Sequence, residues 1–272
     1  MAEQENQAIK ERATEIKGEQ IVNDYTTFAD LLNVSVNELK EEFYILQIRK
    51  IMSRMQKAIL RHDLTSESLE KMFSKAGDYG LVGICLSPAY LPRCVKHIGK
   101  TKSFAPRLSS IIDFPFGESL IKTKIDGIKE SIKQGANSIM VACQGTLLKQ
   151  ENIKELKKQC KKIYGVNKRI NKGLIFDAKE ITKENYADAI KALKKIKLSS
   201  ITLSFGDADM EEIKQELENL NGIKSEKKLF VLANVSKVED AVELYKLGAD
   251  MVITPFADQI GDDLLKRFNL LG

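Results

Sequence analysis

From about Leu60 onward the chain alternates two kinds of segment: short apolar runs, and longer stretches of helical period rich in Lys and Glu. The runs are Leu81–Leu86 (LVGICL), Leu108–Ile112 (LSSII), Ser138–Cys143 (SIMVAC), Gly173–Phe176 (GLIF), Ser200–Ser204 (SITLS), Leu229–Ala233 (LFVLA) and Met251–Ile253 (MVI). Apolar runs of strand length separated by amphipathic stretches are the mark of βα units around a parallel sheet. A first strand over Met55–Leu60 (MQKAIL) brings the count to eight, so the pattern predicts an α/β fold of the (β/α)8 TIM-barrel type.

The intervening helices have readable boundaries. Thr65, with Ser68 three residues on, is expected to cap a helix over Ser66–Lys75, and Ser236 followed by Glu239 reads as a capping box for Lys237–Lys246. Gly135 in IKQGANSIMV and Gly248 in LYKLGADMVI share one cadence, in which a left-handed glycine ends a helix and turns the chain into the next strand. The first fifty or so residues differ. Residues 1–18 are polar, whereas Phe28, Leu31, Leu32, Val36, Leu39, Phe43, Leu46, Ile48 and Ile51 recur at helical spacing. Residues 1–54 are therefore expected to form an N-terminal helical extension, either a layer closing one end of the barrel or a surface for a protein partner or second copy. Residues 55–272 would form the barrel.

Composition narrows the classes. A chain of 272 residues accommodates one barrel of about 250 residues. Hydrophobic residues make up 43% and charged residues 30%, which speaks against wholesale disorder. No run approaches the roughly 18 apolar residues of a spanning helix, and MAEQENQAIKERATE lacks the apolar core of a signal peptide; a cytoplasmic protein is expected. Cys85, Cys94, Cys143 and Cys160 form no CxxC pair, with only His62 and His97 to join them. Buried free thiols and no metal site are expected. The net charge of +5 comes from 43 basic and 38 acidic side chains interspersed along helices such as Ile153–Lys162. These read as solvated faces rather than a nucleic-acid groove.

Several segments carry a resemblance. Cys85, Pro88 and Tyr90 lie in CLSPAYLPRC; Phe114, Pro115 and Gly117 in IIDFPFGES; Gly135 and Ala136 precede SIMVAC; Leu148 and Lys149 follow it. In this order, from about Met55 to the C-terminus, the chain resembles the deoxyribose-phosphate aldolase family of the class I aldolase superfamily. The resemblance implies a barrel and reversible aldol addition through a Schiff base. A strand-six lysine would form the imine, a strand-seven lysine would lower its pKa, and a strand-four aspartate would relay protons. An amine must be neutral to attack, hence desolvated or beside another cation, and a proton must move at the carbinolamine and enamine stages.

Position by position, those roles fall on Thr202, Phe230 and Met140, and a strand-one aspartate falls on Gln56. No other register rescues them, because Ser200–Ser204 and Leu229–Ala233 contain no lysine. A charge left in the lumen without a partner is costly, so the three are expected to serve as packing. The family's phosphate loops fall on Ala233–Ser236 and Ile253–Phe256, where Pro255 has no N–H to give. Ser204, Asn234, Ser236 and Thr254 remain as candidate contacts for a phosphorylated or otherwise polar small ligand, with loop and cap satisfaction as the competing reading.

Three functions stay open. In the first, an aldolase-like barrel has lost Schiff-base activity and acts as a binding, regulatory or assembly protein. In the second, a carbon-carbon lyase persists on a deoxyribose phosphate or related sugar phosphate, with Lys172 as relocated nucleophile and Asp177 as acid/base. A solvated strand-start lysine is the competing reading of Lys172. In the third, Asp113, Asp177, Ser204 and Asp207 serve a different chemistry at the C-terminal strand ends. None of the three calls for a cofactor.

Overall fold

The computed structural model describes residues 45–46, 48–60, 65–99, 106–223 and 225–267. Eight parallel strands close on themselves: β1 (Met55–Ile59), β2 (Gly83–Leu86), β3 (Arg107–Ile112), β4 (Ser138–Ala142), β5 (Asn171–Asp177), β6 (Ser200–Ser204), β7 (Lys228–Leu232) and β8 (Met251–Thr254). Each strand pairs with the next in sequence, and β1 pairs with β8 through Met55 opposite Val252. The strands differ from the predicted apolar runs by a residue or two at their ends. β5 differs most, because its polar Asn171, Lys172 and Asp177 are part of the strand.

A helix follows each strand: α1 (Ser66–Tyr79), α2 (Leu91–Ile98), α3 (Ile121–Lys133), α4 (Ile153–Gly165), α5 (Lys183–Leu193), α6 (Met210–Asn219), α7 (Val238–Lys246) and α8 (Ala257–Arg267). Their buried residues recur at three- and four-residue steps, as Leu156, Cys160 and Ile163 do in α4. That stripe turns one face to the barrel and leaves Lys154, Lys157, Lys158, Lys161 and Lys162 exposed.

Thr65 and Ser68 form the expected capping box, although α1 runs on to Tyr79. The box expected at Ser236 does not form. Lys237 takes the N-cap position of α7 without a side-chain cap bond, so the helix starts one residue late and its entry relies on packing of Val238, Ala241 and Leu244. Gly135 and Gly248 both have φ of 100° and turn helix into strand as predicted.

The barrel lies within a compact unit spanning Arg49–Leu264. Of the expected N-terminal extension, residues 1–44 and 47 lie outside the described residues, while 48–52 are helical. All four cysteines are buried and free. No helix among the described residues is long and apolar enough to cross a membrane.

The loop from β3 to α3 leaves the barrel through a tight path. Asp113 adopts φ of 61°, the Phe114–Pro115 peptide is cis, and Gly117 has φ of 67°. A Cβ on Gly117 would lie 2.7 Å from backbone atoms of Cys143. Both the backbone angle and the contact with main chain therefore demand glycine. Gly117→Ala should destabilise the protein by roughly 2–4 kcal/mol; an unchanged urea midpoint would show that the loop has another way to run.

Candidate functional site

Side chains on a strand alternate between the two faces, so each barrel strand sends every second residue into the lumen. Ala58, Cys85, Ile111, Met140, Ala142, Ile175, Leu232 and Ile253 form the interior cluster, with Phe114, Phe230, Leu60 and Met251 packed against it. Thr202 is fully buried, flanked in register by Ile175 and Phe230. Its Oγ1 lies 3.7 Å from Met140 Sδ, a weak hydrogen bond that satisfies the hydroxyl in an apolar setting. Met140, Thr202 and Phe230 are thus brought together, and as packing. Gln56 is also buried, and its Oε1 has no hydrogen-bond partner among the described residues.

Lys172 lies three residues before the inward-facing Ile175, so alternation sends it outward. It is not solvated as a strand-start lysine would be: it is 1% exposed. Its Nζ donates to the Asn167 and Ile170 carbonyls and sits 6.0 Å from the centre of the Tyr164 ring. Burial lowers its pKa from the ordinary lysine value. Asp177 lies five residues on, and at about 3.3 Å per residue the two are some 16 Å apart at opposite ends of β5. They are not brought together. Asp177 accepts from Lys179 N at 3.0 Å and caps a short helical turn.

The other predicted polar residues divide in two. Ser204 and Asn234 line a cavity of about 590 Å³ at the C-terminal ends of β1, β6, β7 and β8, the end of a barrel where active sites are built. Phe114, Met72, Ile59, Leu232 and Phe256 supply apolar wall; Lys57, Asp207 and Asp258 supply charge. Asn234 Nδ2 donates to Gly206 O at 3.3 Å. Thr254, in contrast, is spent: its Oγ1 donates to Val235 O at 2.7 Å and accepts from Phe256 N at 3.2 Å. Ser236 is half-buried and is not among the lining residues.

Two lysines escaped the sequence reading. Lys124 is 2% exposed; its Nζ donates to Gly117 O at 2.6 Å and Ala142 O at 2.8 Å and pairs with Asp113 Oδ2 at 3.2 Å. Asp113 also accepts from Ser119 N and Oγ. It therefore organises the β3–α3 loop and does not stand free as a catalytic acid. The signal was present, since Lys124 falls on the apolar stripe of Ile121 and Ile128. Lys57, in the middle of β1, reaches Pro255 O at 2.7 Å and Asp258 Oδ2 at 2.8 Å. Among the described residues no group of His, Cys, Asp and Glu could hold a metal ion, and His62 lies outside them.

No family profile matches the chain. It is 25% identical over 221 residues to the deoxyribose-phosphate aldolase of Mycoplasmoides gallisepticum, covering 77% of this chain and 92% of that one. It is 23% identical over 210 residues to that of Dictyoglomus turgidum, covering 75% and 93%. Among solved structures it superposes on the tetrameric deoxyribose phosphate aldolase from Aeropyrum pernix with a TM-score of 0.68 at 17% identity, over 84% of this chain and 97% of that one. The chain is therefore a deoxyribose-phosphate aldolase-like (β/α)8 barrel, related to these enzymes at low identity.

Two outcomes test the lysine assignments. Lys124→Met leaves two buried carbonyls and Asp113 without their donor and should cost roughly 2–4 kcal/mol of stability by urea unfolding; a neutral variant would mean the loop holds without it. For Lys172, the unfolded chain binds more protons than the folded one between the lowered folded pKa and the unfolded value near 10.5. Stability therefore rises with pH across that window. The stability difference between wild type and Lys172→Met should shift in favour of wild type as pH rises through it; a pH-independent difference would contradict the burial.

Proposed function

We propose that this barrel has lost Schiff-base aldolase activity and acts as a non-catalytic binding protein, regulatory or assembly in role, that takes a small polar ligand at its C-terminal mouth. The observation that carries the reading is the neutral lumen: Met140 and Phe230 pack in the interior cluster and Thr202, opposite Phe230, bonds to Met140, where an acid and two amines are needed. Imine chemistry requires a neutral amine beside a reachable carbonyl, with an acid or base in reach. The lysine at the mouth, Lys57, is instead held in an ion pair with Asp258. The cavity keeps the size of a small-molecule site, with Ser204 and Asn234 as its neutral polar contacts. Four buried, free thiols fit a reducing cytosol. The apolar stripe from Phe28 to Ile51 is the sequence's best surface for a second copy or a protein partner.

The second reading is a lyase using Lys172 and Asp177. Its support is the burial-lowered pKa of Lys172; the 16 Å or so between the two groups weighs against it. Borohydride reduction in the presence of deoxyribose 5-phosphate or acetaldehyde separates the readings. The expected mass spectrum shows the unmodified chain. An adduct would overturn the proposal, and its loss in Lys172→Met would assign the nucleophile.

A further inference from the structure

The charge at the mouth cavity is arranged in an unusual order. Among the described residues its lining carries one ammonium, Lys57, against two carboxylates, Asp207 and Asp258. Lys57 Nζ is already engaged by Asp258 Oδ2 at 2.8 Å and Pro255 O at 2.7 Å. Asp258 stands in the first turn of α8, where unpaired N–H groups and the helix dipole favour an anion. A lysine and a helix start together make an anion subsite, and here the protein's own carboxylate takes the lysine through Oδ2, while its Oδ1 is buried with no hydrogen-bond partner among the described residues.

Several neighbouring donors are spent as well. Pro255 has no N–H, Phe256 N donates to Thr254 Oγ1, and Thr254 Oγ1 donates to Val235 O. Ala233 N donates to Ile253 O. An incoming phosphate would meet Asp258 in its place and Asp207 exposed nearby, a like-charge encounter in a half-enclosed, partly apolar space. A ligand bearing hydroxyl or ammonium donors would instead find acceptors in Asp207, Ser204 and Asn234 over the apolar floor of Ile59 and Leu232.

We infer that Asp258 is a built-in anion that occupies the Lys57 subsite, so that the cavity takes hydroxylated or aminated small molecules without an anionic group and excludes phosphorylated ones. This deepens the reading of the barrel as a binding protein and rests on it.

The test compares inorganic phosphate, deoxyribose 5-phosphate and deoxyribose by calorimetry on the full chain, as wild type, Asp258→Asn and Asp258→Ala. Wild type should show no phosphate binding and no preference for the phosphate ester over the free sugar. Both variants should gain phosphate and ester affinity by about tenfold or more, the scale of one charge-assisted contact released to the ligand. Adding Lys57→Met should abolish that gain. Tighter binding of the ester than of the sugar by wild type would overturn the inference. So would the absence of any gain in an Asp258 variant whose circular dichroism is native; the asparagine form keeps the side-chain shape if the alanine form does not fold. A borohydride adduct would sink the non-catalytic reading while leaving the phosphate comparison to be read by itself.

Discussion

Closing eight short parallel strands on themselves forces every second side chain into a volume that must be filled without water. The pairing of β1 with β8 imposes that constraint on all the others, because a closed sheet has no edge through which a misfitting group could escape. A charge placed there needs a partner in the same small space. This chain meets the constraint with Ala, Cys, Ile, Met, Leu and Phe, with a threonine whose hydroxyl points at a thioether, and with the neutral Gln56 opposite Ile253. A neutral lumen is the simplest packing solution where no charged partner shares the space.

The buried lysines then sit where backbone carbonyls can hold them. Lys124 ties the β3–α3 loop to the end of β4 and to Asp113. Lys172 closes the entry to β5 over two carbonyls of the preceding turn. Lys57 bridges β1 to the start of α8. Each ammonium serves as a strap between elements, outside the interior cluster. Among the described residues, the barrel can therefore stay rich in lysine while its interior cluster carries none.

The fold was legible because its signal is periodic. Apolar runs of strand length, αL glycines at Gly135 and Gly248, and the Thr65 cap each report on local geometry, and each appears where expected. The Ser236 cap failed because capping competes with the docking of Val238 and Ala241, which no local pattern measures. The site was half legible. Ser204 and Asn234 line the mouth cavity, whereas Thr254 turned out to be consumed by Val235 and Phe256. Lys57 and Asp258 lie 201 residues apart, too far for any motif to join.

The sequence by itself determined the number and order of the βα units and the absence of acid and amine from positions 140, 202 and 230, because strand alternation ties residue identity at a lumen position to lumen chemistry. Only the tertiary structure decided what the remaining charges do. Whether Lys172 is solvated or buried, whether Asp113 is a catalyst or a loop anchor, and whether Lys57 is free or filled by Asp258 all depend on contacts across the closed barrel. A charge takes its meaning from the groups within a few ångströms, and chain order says little about those.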